Sequence, residues 1–236
     1  MKSHLPKVLH RVCGKEIVSL VIQSADDAGL GPAYLVVPPN SDPFFKVFGN
    51  RVAYVEQASQ LGSGHALLQT QNALKGIANI TVLSGDVPLI RPETLAKLMV
   101  VHLESEASIT ILTAAVPNPG DLGRILRDDQ GQIIKIIEDV ETNQNTGAVK
   151  EVNSGIYVFN TAWLWGNIQS LKPSNNGEFY ITDLIAMASA QSSKIASLET
   201  PASNEILGVN NRIQLAKATS ILRRRIRERH MLAGVT

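Results

Sequence analysis

Short apolar runs alternate with helix-period segments along most of the chain, and this alternation limits the fold more than any other feature. Tyr34-Leu35-Val36-Val37, Val52 to Val55, Ile80 to Leu83, Ser108 to Val116 and Ile195 to Leu198 each read as a short buried strand. Between them lie helical stripes. One is Val18, Val21, Ile22 and Ala25. Another is Leu95, Leu98, Met99 and His102, in a predicted helix from Arg91 to Glu106 with Pro92 in its first turn. Strands alternating with helices predict an α/β fold, a Rossmann-like, mostly parallel sheet with helices on both faces. At 236 residues the chain can bury a large core. From Pro117 to Thr182 the spacing changes to hairpins and loops. Arg124 to Arg127 and Gln132 to Glu138 flank a turn at Asp128-Asp129-Gln130-Gly131, and Glu151 to Phe159 is a further strand. This stretch predicts a smaller lobe laid over the carboxyl edge of the sheet. The polar segment 140–149 is expected to be mobile, and a long helix from about Ile213 to Met231 closes the chain.

Bulk properties exclude several classes. A net charge of +1 provides no field for nucleic acid or a membrane surface. No apolar run approaches the roughly 18 residues of a spanning helix, and no apolar core of a signal peptide opens the chain. Cys13 is alone, so no internal disulfide forms, and a cytoplasmic location is expected. The run Arg223-Arg224-Arg225-Ile226-Arg227-Glu228-Arg229 reads as a solvated helix face, because no stacking aromatics interleave with it.

The chemistry concentrates at a few places. Thr81-Val82-Leu83-Ser84-Gly85-Asp86-Val87-Pro88-Leu89 reads as a buried strand whose carboxyl end delivers Asp86 into the crevice where α/β sheets bind ligands. Gly85 allows close approach. A carboxylate there suits a divalent metal on phosphates; a plain helix cap or turn, with Pro88, is the other reading. Lys7 follows Pro6 on a preset backbone and suits a phosphate as a point charge, or is an ordinary surface lysine. Gln57-Ala58-Ser59-Gln60-Leu61-Gly62-Ser63-Gly64-His65-Ala66 opens a helix through a Gly-Ser-Gly turn. Such a turn offers free N–H groups to an anion or a base edge, or is a simple turn capped by Ser63. Gln57 and Gln60 add amides able to read a base.

Taken in order, Leu5 to His10, Gln60 to Ala66, Gly85 to Leu89, Gly123-Arg124-Ile125, Glu151 to Gly155, Gly177 to Asp183 and Gly208 to Arg212 resemble one family. It is the uridylyltransferase (pyrophosphorylase) domain of the bifunctional bacterial N-acetylglucosamine-1-phosphate uridylyltransferase / glucosamine-1-phosphate acetyltransferase, of the nucleotide-diphospho-sugar transferase fold. The resemblance covers nearly the whole chain. It implies residues 1–212 as the nucleotidyltransferase domain, with a sugar-binding lobe at about 117–182 and a linker helix at 213–236. It also implies formation of UDP-N-acetylglucosamine and pyrophosphate from UTP and N-acetylglucosamine 1-phosphate, with Mg²⁺ as cofactor. Asp86 and Asn210 match the Mg²⁺ ligands and Lys7 the phosphate-contacting lysine. Gln57, Gly62 and Ser63 match the uracil contacts, with Gly85 among the substrate-binding residues. Gly123, Glu138, Asn153 and Thr182 match the sugar pocket, with Tyr180 in support.

The departures matter as much. The family begins with a strand and a Gly-rich loop ending in Gly-Thr-Arg-Met, and Met1 falls at that last Met. A buried strand of about five residues contributes on the order of 10 kcal/mol, against whole-domain stabilities of about 5–15 kcal/mol. Either the true chain extends upstream of Met1, or impaired activity is expected, with a non-catalytic nucleotide-sugar-binding remnant as the alternative. Ser84 and Leu122 stand where the family commonly has aromatic residues, which leaves a pyrophosphorylase for another sugar 1-phosphate open. Leu232 to Thr236 matches the linker before the family's β-helix domain. The final helix is then expected to expose Ile213, Ala216, Ile221 and Ile226, and it is a candidate oligomer contact.

Overall fold

The computed structural model describes residues 1–138 and 149–235, so nearly all of the segment 140–149 lies outside the described residues. A 3-10 turn at Lys7–Leu9 leads into a small hairpin, β1 (Arg11–Val12) and β2 (Lys15–Glu16), and then α1 (Ile17–Asp27). β3 (Tyr34–Val37), α2 (Asp42–Phe48), β4 (Ala53–Glu56), α3 (Ser63–Gln69), β5 (Asn79–Val82), α4 (Pro92–Ser105) and β6 (Ile109–Ala115) follow. The hairpin β7 (Arg124–Arg127) and β8 (Ile133–Ile137) precedes β9 (Glu151–Asn160), α5 (Thr161–Asn167) and α6 (Asp183–Ala190). β10 (Ile195–Glu199) and α7 (Arg212–Leu232) complete the chain.

β9 is the axis of a six-stranded sheet. β6 pairs along one of its sides, while β5 and β7 pair with it at Tyr157 to Asn160 and at Val152. β10 extends the sheet beyond β6, in parallel, and β8 extends it beyond β7. β5, β6 and β10 share one direction, as a parallel sheet requires, but β9 runs against β5, β6 and β7. β3 and β4 form a separate parallel pair. Among the described residues no ladder joins β3 to β5, although α3 packs on both.

The two-residue period of β6 and β9 sorts their side chains onto two faces. Ile109, Ile111, Tyr157 and Phe159 face one core with Leu164 of α5 and Leu184, Ile185 and Ala188 of α6. Leu112, Ala114, Ile156 and Val158 face the other with Leu95 and Leu98 of α4. Helices thus cover both faces, as the alternation predicts. Arg127 of β7 donates to both carboxylate oxygens of Glu151 at 2.8 and 2.7 Å. Burial would raise the Glu151 carboxyl, but the guanidinium holds it below its ordinary value.

The last helix does not project along its first half. Its Leu215, Ala218, Ile221 and Leu222 pack on Val12, Ile17, Leu89 and Val209, and Arg225 donates to the Leu89 carbonyl at 2.6 Å. Ile213 and Ala216 are exposed as expected, Ile221 and Ile226 are half-buried, and Met231 and Leu232 add to the exposed apolar end. Among the described residues no helix is long and apolar enough to cross a membrane.

His102 ends a turn of α4 inside the protein, 2 % exposed. Its Nε2 donates to Asn79 Oδ1 at 3.1 Å, so its Nδ1 accepts from Thr110 Oγ1 at 2.8 Å. Burial pushes its pKa down. As pH falls, the unfolded chain therefore takes this proton first, at about pH 6.5, and stability declines below that value. Urea midpoints at pH 7.5 and pH 5.5 check this. His102→Gln should show a smaller acid loss than the parent chain; equal losses contradict the assignment.

Candidate functional site

Three side chains distant in sequence converge at the carboxyl end of β5. Lys7 Nζ donates to Asp86 Oδ2 and to Asn210 Oδ1, each at 2.6 Å, across 79 and 203 residues of chain. Local chemistry presents each of them. Pro6 precedes Lys7 in an extended conformation and accepts from Leu9 N–H, closing the 3-10 turn. Asp86 lies just past β5, and its carbonyl accepts from Val209 N–H at 2.9 Å. Asn210 is held by the start of α7. There Asn211 caps Gln214 N–H, and the Gln214 side chain accepts from both Asn210 N–H and Asn211 N–H at 2.7 and 3.1 Å. A methyl group on half-buried Gly85 would meet Val18 and Val8 only at ordinary contact distance.

The two oxygens therefore already converge on a cation, the lysine ammonium. A carboxylate and an amide oxygen are hard donors that suit a divalent ion also held by phosphates. Among the described residues there is no cluster of three His, Cys, Asp or Glu side chains. Such an ion would need substrate oxygens and water to complete its shell.

A second group surrounds Glu138. Thr182 Oγ1 donates to Glu138 Oε1 at 2.9 Å. Thr182 does occupy the capping position of α6, but its hydroxyl makes no cap hydrogen bond. A methyl group on Gly123 would sit 3.5 Å from Glu138 Oε2, and the Gly123 carbonyl accepts from Asn153 N–H at 2.8 Å. The Asn153 amide nitrogen donates to Tyr157 Oη at 2.7 Å, and its oxygen accepts from Gly155 N–H at 3.1 Å. Complete burial, with Glu138 adding to it, raises the Tyr157 phenol far above its ordinary range, while the Asn153 contact opposes that shift. Tyr157 was invisible as a site residue in the sequence, where it reads as one more strand aromatic. Tyr180 stands two residues before Thr182, and its hydroxyl accepts from Asn176 at 2.6 Å.

The Gly-Ser-Gly turn is not as open as its sequence implies. Gly64 N–H donates to the Phe179 carbonyl at 2.8 Å, Phe179 N–H donates to the Leu61 carbonyl at 2.9 Å, and Ser63 Oγ accepts from Ile181 N–H at 3.0 Å. The capping residue of α3 is Gly62, without a side-chain cap. Gln57 reaches back into this turn, its Nε2 donating to the Gly62 carbonyl at 3.2 Å. Gln60 stays exposed. Residues 179–182 thus tie the Gln57–Gly64 turn to the Glu138 group. Ser84 Oγ, donating to the Gly155 carbonyl at 3.2 Å, ties the Asp86 end to the Asn153 end.

Gly62 makes the closest approach. Its φ of +96° and ψ of 177° belong to a region open essentially to glycine alone, and a methyl there would lie 2.6 Å from the Phe179 carbonyl oxygen. Gly62→Ala should cost about 1–3 kcal/mol of stability, read from denaturant unfolding. An unchanged midpoint contradicts the packing described.

The site can now be set beside known proteins. A family model described as nucleotidyl transferase matches residues 32–203. The chain is similar to the bifunctional protein GlmU of Caldanaerobacter subterraneus subsp. tengcongensis, 39% identical over 237 residues, covering 100% of this chain and 52% of that protein. The GlmU proteins of Pelobacter propionicus and Clostridioides difficile are 40% and 38% identical, again over 100% of this chain and 52% of theirs. The chain thus spans about half the length of the curated relatives it matches. Its fold is similar to a crystal structure of apo-UDP-glucose pyrophosphorylase, with a TM-score of 0.75 and 16% identity over 94% of this chain and 91% of that one. The match of the family model over most of the sequence, on a fold of this architecture, means that the chain belongs to the nucleotidyl transferase family.

Proposed function

We propose that this chain is a uridylyltransferase that forms UDP-N-acetylglucosamine and pyrophosphate from UTP and N-acetylglucosamine 1-phosphate. The observation that carries the reading is the meeting of Lys7, Asp86 and Asn210 around one point. In this reaction an oxygen of the sugar phosphate attacks the α-phosphorus of UTP. The bond from that phosphorus to the bridging oxygen breaks, and pyrophosphate leaves with the electron pair. No covalent enzyme intermediate is needed, so catalysis consists of aligning two anions and neutralising their charge.

Each residue then has a role. Lys7 turns its ammonium from Asp86 to the phosphates. Asp86 and Asn210 hold Mg²⁺, which on binding supplies charge neutralisation and a template for the phosphate oxygens. Gly85 leaves room for the phosphates at the end of β5. Gln57, Gly62 and Ser63 face the uracil. Glu138 accepts from sugar hydroxyls, Asn153 both donates and accepts, and Gly123 and Thr182 close that pocket, with Tyr180 at its margin. Residues 1–212 form the catalytic unit with the sugar-binding lobe at about 117–182, and 213–236 is a linker helix whose exposed end is a candidate oligomer contact.

One feature favours a second reading. The β3–β4 pair stands apart from the larger sheet, so a remnant that binds nucleotide sugar without turnover is also consistent with the fold. Calorimetry with UDP-N-acetylglucosamine separates the two, since binding without turnover supports the remnant.

Pyrophosphate release, measured over a panel of nucleoside triphosphates and sugar 1-phosphates, tests the substrate assignment. UTP with N-acetylglucosamine 1-phosphate should be the fastest pair; faster turnover of glucose 1-phosphate moves the assignment to another sugar. Asp86→Ala should lower kcat/KM by about 10²–10³-fold at saturating Mg²⁺, and an unaltered rate removes Asp86 from the site.

A further inference from the structure

We infer that His65 is a positioning residue that makes Gln57 a hydrogen-bond acceptor only, and thereby selects an imide base, uracil, against cytosine. The inference rests on the reading above that Gln57 faces the base. It goes beyond that reading by assigning the selectivity to a side chain that does not itself reach the nucleotide.

Gln57 Nε2 lies 3.2 Å from the Gly62 carbonyl oxygen and 2.9 Å from His65 Nδ1. A carbonyl oxygen can only accept, so the group between it and the ring must be the NH₂ end of the amide. Its second hydrogen then points at His65 Nδ1; this is the shorter of the two amide contacts to the ring, 2.9 against 3.3 Å, so Nδ1 is the acceptor and the ring hydrogen sits on Nε2. Both hydrogens of the Gln57 amide are therefore engaged within the protein. Among the described residues no donor reaches Gln57 Oε1, and the side chain is only half-buried. The free end of Gln57 offers lone pairs and nothing else.

His65 is itself fixed. It sits in the first turn of α3, directly after Gly64, whose N–H is bonded to Phe179. Gln69, one turn later, donates to the His65 carbonyl at 3.2 Å. Its nitrogen lies 3.3 Å from His65 Nε2, a contact between two donors that adds no bond under this tautomer.

An acceptor fixed in this way discriminates by what the base carries. Uracil has a hydrogen on N3, flanked by two carbonyl oxygens. Cytosine has a bare lone pair on N3 and its hydrogens on the exocyclic nitrogen. Placed against N3, Gln57 Oε1 receives a hydrogen bond from uracil and meets a lone pair on cytosine. A freely turning amide could present NH₂ to cytosine instead, and the Gly62 and His65 contacts hold it from doing so. An unmatched polar pair in such a place discriminates strongly.

The test compares dissociation constants of UTP and CTP by titration calorimetry on the full chain, with thermal unfolding as a control. His65→Phe keeps the ring and removes the acceptor. His65→Asn keeps an acceptor where Nδ1 stood. We expect His65→Phe to lower the preference for UTP over CTP by about tenfold, chiefly through tighter CTP binding, and His65→Asn to restore it. Gln57→Ala should abolish the preference. A preference unchanged in His65→Phe but lost in Gln57→Ala overturns the role of His65 and leaves the base site standing. A preference unchanged in Gln57→Ala, or no binding of either nucleotide, overturns the base reading and the inference with it. A loss in His65→Phe with no recovery in His65→Asn overturns the acceptor mechanism.

Discussion

The arrangement depends on the pairing of β9 with three neighbours. Its side chains from Ile156 to Phe159 are almost fully buried and alternate between two cores, so its register cannot slip by one residue without turning each of them to the wrong face. That register places the candidate site. Val82 lies opposite Tyr157, and the chains then run in opposite directions to Ser84 and Gly155, which touch. Asp86, past the end of β5, and Asn153, near the start of β9, therefore emerge at one edge of the sheet. Gly155, with φ +74°, has no room for a side chain under Ser84. Of the polar residues that open β9, Asn153 bonds Tyr157, while Glu151 pairs with Arg127 and Ser154 with the Leu112 carbonyl.

Much of this architecture is legible in the sequence. The strands at Tyr34–Val37 and Arg124–Arg127 match the expected runs to the residue, and most other elements fall within one or two positions. Their period is a local property, set by which face each residue must bury. β9 reversed the expected direction locally, because an apolar run carries no mark of which way it points. The β1–β2 hairpin went unread because its strands have two residues each, too few to show a period. Its tight turn at Cys13-Gly14 is the only local trace of it, with φ of +50° and +85°.

The site divides in the same way. Asp86 announces itself by standing after a buried strand and a glycine. Its meeting with Lys7 and Asn210 cannot be read from local spacing; only the resemblance of several motifs, in order, brought the three together. The contacts of Phe179 with Leu61 and Gly64 escaped because they are backbone bonds between distant turns, for which the side-chain pattern holds no signal. Thr182 shows the limit. A threonine before a helix is a good cap, and nothing local says that its hydroxyl is taken by Glu138. His65 and Tyr157 are ordinary in sequence and become informative only once their partners are placed.

The segment from Phe179 to Thr182 is a shared wall: on one side it closes the turn that carries Gln57, on the other the group around Glu138. On the proposed roles, a nucleotide on one side and a sugar phosphate on the other press on this same segment, so any shift of it favoured by one guest is met by the other. Thermodynamics makes such an effect mutual: whatever factor the nucleotide adds to the affinity for sugar phosphate, the sugar phosphate must return. Two pockets built against separate walls would share no such segment.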